Sequence, residues 1–205
     1  MKLHYLPGAC SLADHIVLEW IGKPYEAVAV PRDRLKSPEY LRINPAGAVP
    51  ALETGEGWAL TQNSAILHYL AARYPEAGLH GDGSARGRAE VDRWLAFVNA
   101  DVHPSFWPFF GGLAWIDDEA MLARGHEAAR TKLRGLFERA DRQLEGRDWI
   151  AGATRSIADP YLYVVTRWAK AKQVDLAAFG NLERHFQAME ADPAVQRVLK
   201  AEGLQ

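Results

Sequence analysis

The chain has 205 residues, enough to bury a substantial apolar core as one large domain or two small ones. Its 24 Lys and Arg stand against 26 Asp and Glu, so it lacks the basic excess that would hold a phosphate backbone or an anionic membrane surface. A single cysteine excludes an intramolecular disulfide, no apolar run approaches the ~20 residues of a membrane span, and the first residues lack an apolar leader core. The expectation is a cytoplasmic protein with neither nucleic acid nor membrane as partner.

Lys2 to Leu6 is a short apolar-rich run cut off by Pro7-Gly8, the pattern of a buried strand feeding a tight turn. A helix follows. Ser11 can cap it, Asp14 sits three residues on in capping-box position, and Ile16, Val17, Trp20 and Ile21 form one apolar stripe before Gly22 and Pro24. Tyr25 to Val30 alternates as a second strand, and strand, helix, strand at this spacing implies a parallel unit. After a turn at Asn44-Pro45-Ala46-Gly47, Pro50 to Glu53 and Trp58 to Leu60 flank Thr54-Gly55-Glu56-Gly57 as a β-hairpin. Asn63 then caps a helix running to about Tyr74.

Pro75, Gly78, Gly81 and Gly83 make the best linker, placing one domain over residues 1–78 and a second, all-helical one over 85–205. Val91, Leu95, Val98 and Val102 keep helical period on a segment that Pro104 should kink. Glu119 to Leu144 carries Leu122, Ala129, Leu133, Leu136, Phe137 and Ala140 in the same phase, with charge opposite. Ser156-Ile157-Ala158-Asp159 is a capping box for a helix to about Lys172, and Asp192-Pro193 opens a last short one.

Four features carry possible chemistry. Cys10 directly precedes the first helix, where free N–H groups and the positive dipole end favour an anion and would lower a thiol pKa; the alternative is a small buried hydrophobe. With no second cysteine, a reactive Cys10 needs an external thiol such as glutathione. Asn63 and Ser64 open another helix, as plain caps or as a dock for a ligand carboxylate. His103 shares a face with Ala96, Asn99, Phe106 and Phe110, either as a structural histidine or as a group that stabilises a thiolate or passes a proton. Phe106, Trp107, Phe109, Phe110, Trp115 and Trp168 form core or wall a pocket for apolar electrophiles. No His or carboxylate pair has metal-ligand spacing, so no metal is expected.

Taken in order, Pro7-Gly8-Ala9-Cys10-Ser11-Leu12, Ile43-Asn44-Pro45-Ala46-Gly47-Ala48-Val49-Pro50-Ala51-Leu52, Leu60-Thr61-Gln62-Asn63-Ser64-Ala65-Ile66 and Ser156-Ile157-Ala158-Asp159-Pro160-Tyr161 resemble the cytosolic glutathione transferase family, most closely its bacterial beta class. The resemblance implies an α/β thioredoxin-like N-terminal domain, an all-α C-terminal domain, glutathione as cosubstrate and a homodimer. It implies catalytic roles for Cys10, Ser11 and His103, and glutathione contacts from Val49, Pro50, Gln62, Asn63, Lys36 and, across the dimer, Asp101. The Val49-Pro50 bond is expected to be cis, so that Val49 pairs with the cysteinyl part of glutathione as an added strand would. Asn63 replaces the family's usual serine, and Pro104 replaces an expected polar residue. Phe106, Phe110, Trp115 and Trp168 would line the second-substrate pocket. The implied activity is transfer of glutathione to a small hydrophobic electrophile or a disulfide, with thiol–disulfide exchange through Cys10 expected to be appreciable. A carrier of apolar ligands and a glutathione-dependent isomerase are the alternatives; the isomerase requires basic residues such as Arg32, Arg34, Lys36 and Arg167 to converge on the pocket.

Overall fold

A computed structural model of the protein describes residues 1–205. The first strand, β1 (Lys2–Tyr5), pairs in parallel with β2 (Glu26–Ala29) and antiparallel with β3 (Ala51–Glu53), which pairs antiparallel with β4 (Ala59–Thr61). The sheet order is therefore β2-β1-β3-β4. Parallel pairing needs a crossover, and α1 (Ser11–Ile21) supplies it, burying Leu12, Ala13, Ile16 and Val17 completely. Gly22 ends this helix with φ 70°, a left-handed cap that glycine adopts at no steric cost. A short α2 (Pro38–Leu41) and then α3 (Asn63–Arg73) complete this half, with α3 packed on α1.

All later elements are helical. In α4 (Ala85–Ala96) Ser84 accepts from Gly87 N–H as the N-cap, and Val91 and Leu95 face the core. The expected disturbance around Pro104 is extensive: residues 97–102 widen into a π-helical turn and 103–110 tighten into a 3₁₀ segment that ends at Gly111. Proline removes an N–H donor from the ladder, and Pro104 and Pro108 both lie in the tightened part. Next come α5 (Glu119–Gln143), α6 (Ala158–Ala171), α7 (Gly180–Ala191) and α8 (Pro193–Ala201). Of these, α7 has no side-chain cap to announce it, whereas Asp192 caps α8 through the N–H groups of Ala194 and Val195.

Helix α1 is the hub, packing against β1, α3, α6 and α8. One apolar cluster runs from Leu3 to Leu199 through both halves of the chain. Polar ties reinforce it: Trp168 Nε1 donates to Gly8 O at 2.8 Å, Gly8 N donates to Glu202 at 3.0 Å, and Glu202 also pairs with His15 at 2.8 Å. These bonds fix the turn before α1 relative to α6 and the C-terminus.

Two local expectations at α1 are corrected. Ser11 does not cap it; the hydroxyl turns back to Leu6, accepting from its N–H and donating to its carbonyl. Asp14 makes no capping bond, and both its carboxyl oxygens are buried without a partner. The capping box at residues 156–159 does form. Asp159, fully buried, accepts from Ser156 N–H at 2.7 Å, Ser156 hydroxyl at 2.9 Å and Ile150 N–H at 2.9 Å. Asp159→Ala strands these donors at about 1–3 kcal/mol each before relaxation, and should lower the unfolding free energy in urea by roughly 3 kcal/mol. Ser156→Ala, which leaves the two backbone bonds to Asp159 in place, should cost less.

Candidate functional site

A cleft of about 450 Å³ opens where the loop before β3, the starts of α1 and α3, and the 103–110 segment meet. The loop is held by its own polar atoms. Asn44, buried, donates to Ala48 O at 2.7 Å and accepts from Ala46 N–H, Tyr40 donates its hydroxyl to the same Ala48 O, and Lys36 Nζ donates to Ala46 O at 2.7 Å. Gly47 has φ 59°, and a Cβ there would lie 2.7 Å from Leu35 O, so only glycine lets the loop close. The loop delivers Val49 to the cleft before a cis bond to Pro50. The Val49 N–H has no backbone partner, which leaves it open to a ligand strand.

The start of α3 is also open. No side chain caps it, and its first backbone bond runs from Ile66 N to Gln62 O, so the preceding N–H groups and the positive dipole end face the cleft. Gln62, exposed beside the cleft, holds φ 74° and ψ 118°, a conformation sparsely used by residues with a Cβ and typical of ligand-binding positions. Asn63 is not the expected N-cap. It is the first helical residue, and its Nδ2 donates to Cys10 O at 2.6 Å, tying α3 to the start of α1. Its Oδ1 is buried without a partner.

Cys10 lies half-buried at the start of α1, with Sγ 3.7 Å from Val49 O. The expected low pKa is not found. Burial, with the Asp14 carboxyl second, pushes the thiol up to about 12, against the lowering effects of Asn63 and the N–H groups of Cys10 and Ser11. Burial also raises the Asp14 pKa well above the usual carboxyl range, which disfavours its charged form. Burial is the largest cause of the Cys10 shift and favours the neutral thiol.

On the other wall, His103 Nδ1 pairs with the Tyr161 hydroxyl, and Tyr161 donates to Asn99 Oδ1 at 3.4 Å. Burial lowers the His103 pKa, favouring neutral imidazole. Burial also raises the Tyr161 pKa far above the phenol range, so Tyr161 keeps its proton. Trp168 supports His103 edge-on at 4.9 Å.

The expected residues separate on this geometry. Cys10, Val49, Pro50, Gln62, Asn63, His103 and Phe110 line the cleft together. Ser11 is fully buried with its hydroxyl on Leu6, and Asp101 is exposed beyond the lining with its carbonyl accepting from Ser105. Lys36 braces the loop from outside. Phe106 is core, Trp168 stands behind His103 and Phe110, and Trp115 is 73% exposed and outside the lining. Trp107 and Pro104 take the wall positions instead. Tyr161 was missed as a site residue; the available signal was its buried place on α6, where a phenol needs a polar partner. No Lys or Arg lines the cleft, so the basic convergence that an isomerase reading requires does not occur.

Residues 15–78 match the family model described as glutathione S-transferase, N-terminal domain, and residues 103–193 match the C-terminal domain. Over the whole of both chains the sequence is 56% identical to the glutathione S-transferase GST-4.5 of Xanthomonas campestris pv. campestris. A glutathione S-transferase from Xylella fastidiosa superposes with TM-score 0.96 at 52% identity, covering 100% of this chain and 99% of the other. A sphingomonad glutathione S-transferase solved in complex with glutathione superposes with TM-score 0.88 at 38% identity, covering both chains fully.

The raised Cys10 pKa gives a direct expectation. A thiol whose thiolate is disfavoured by folding should be alkylated by iodoacetamide at a rate that keeps rising with pH through 9 to 11, without the plateau near 7 of an activated cysteine. Asn63→Ala removes a lowering contact and should slow alkylation further.

Proposed function

Because the chain belongs to the glutathione S-transferase family, we propose that it binds glutathione in this cleft and joins the tripeptide's sulfur to an electrophilic carbon of a small apolar substrate. The observation that carries the reading is the uncapped start of α3 beside the open Val49 N–H, two sets of unused backbone donors facing one cavity that also holds Cys10. The γ-glutamyl carboxylate docks on the N–H groups at Asn63 and Ser64, with Gln62 over it. The cysteinyl amide pairs with Val49 as an added strand, which brings the sulfur beside Cys10. In this reading residues 1–78 bind glutathione, and residues 85–205 supply Trp107 and Phe110 for the electrophile. The protein works in the cytoplasm as a homodimer.

The chemistry follows from the proton inventory. If Tyr161 gives its one proton to Asn99, His103 Nδ1–H must donate to Tyr161, which leaves His103 Nε2 as a neutral base. That base takes the glutathione thiol proton, the sulfur lone pair forms the C–S bond, and the leaving group departs with its bonding electrons. Cys10 contributes as a neutral neighbour and weak S–H donor. Burial pushes the Cys10 thiol up and disfavours its thiolate, so in this reading conjugation by the glutathione sulfur outweighs exchange through Cys10.

The test is steady-state turnover with glutathione and a reactive aryl halide, alongside a disulfide substrate. Cys10→Ala should retain most conjugation, Gln62→Ala should raise the glutathione KM, and His103→Ala should lower kcat roughly 10²-fold. The His103 pKa is lowered, so the acid limb of the conjugation rate should fall below pH 6.5 and vanish in His103→Ala. Loss of conjugation in Cys10→Ala with full activity in His103→Ala would overturn this assignment of roles.

A further inference from the structure

Outside the cleft, His68 on α3, His80 in the connecting segment and Asp92 on α4 bring three ligand atoms within 4.8 Å of one another. We propose that these residues form a second site, for a divalent transition ion of the zinc type, which fastens α3 and the connecting segment to α4.

The distances suit that ion. Asp92 Oδ1 lies 2.7 Å from His80 Nε2 and 3.6 Å from His68 Nδ1. A tetrahedral site with bonds of about 2.0–2.1 Å has ligand atoms about 3.3 Å apart, and the two spacings bracket that value. The two imidazole rings sit at 5.4 Å between centroids, inclined at 59°, so both can turn a nitrogen toward the carboxylate without ring collision. Two imidazoles and one carboxylate are borderline donors that suit zinc and its neighbours rather than calcium or magnesium. Asp92 is half-exposed, so water can complete the coordination.

The ligands stand on prepared backbone. Leu79, before His80, is buried and its carbonyl accepts from Ile157 N–H at 3.0 Å. Gly81, after it, has φ 78° and approaches α4 so closely that a Cβ would lie 2.7 Å from the Gly87 carbonyl. His80 is thus fixed on both sides, and His68 and Asp92 rise from helices, the rigid placement that ion binding needs.

The test is titration of the full chain with zinc chloride against a chromophoric chelator, in a Cys10→Ala background so that the thiol cannot compete. One equivalent of zinc should bind, and His68→Ala and His80→Ala should each weaken it at least about tenfold. Zinc should raise the thermal midpoint of the parent and not that of His80→Ala, a readout independent of turnover. Cobalt in place of zinc should give visible absorption lost in the same variants. Absence of stoichiometric binding, or binding unchanged by both histidine substitutions, would overturn the proposal.

Discussion

One hydrogen bond organises the cleft: Asn63 Nδ2 to Cys10 O at 2.6 Å. It joins the starts of α1 and α3 through the first residue of α3, while the capping position before it, Gln62, offers no side-chain cap. The N–H groups at that end have no capping side chain, and their partial positive charge faces the cavity. Gln62, held at φ 74°, and the glycine-dependent loop closure at Gly47 serve the same end, since both aim backbone at the cavity at some conformational cost.

The same proximity shapes Cys10. Two helix-start N–H groups and the Asn63 amide favour its thiolate, yet burial wins and the thiol stays neutral. Asp14 follows the same rule, unpartnered beneath the site with burial raising its pKa well above the usual carboxyl range. His103, kept neutral by burial and oriented by Tyr161, is the group able to receive a proton.

Much of the fold was legible because it rests on local rules. The apolar periods of residues 11–21 and 119–143, the hairpin around residues 54–57, and the caps at Ser156–Asp159 and Asp192 appear as expected. What escaped depends on long-range contacts or on missing punctuation. Asn63 has an ideal capping composition, but its partner lies 53 residues away. Cys10 has the position of an activated thiol, and only the packed structure shows that burial outweighs the helix end. Helix α7 lacks a capping side chain to mark its start. The pocket aromatics could not be sorted, because the switch from π to 3₁₀ winding at residues 97–110 turns Phe106 inward and leaves Trp107 61% exposed. His68, His80 and Asp92 come from three separate elements, so no sequence spacing announces them.

The central claim is that open backbone donors at Val49 and at the start of α3 hold glutathione with its sulfur beside Cys10. Amide chemical shifts followed during a titration of isotopically labelled protein with reduced glutathione address it most directly. Glutathione held in this way gives the largest perturbations at the Val49, Asn63, Ser64 and Cys10 amides, saturating together with one affinity. Perturbations that leave these four unmoved while clustering elsewhere on the surface would contradict it.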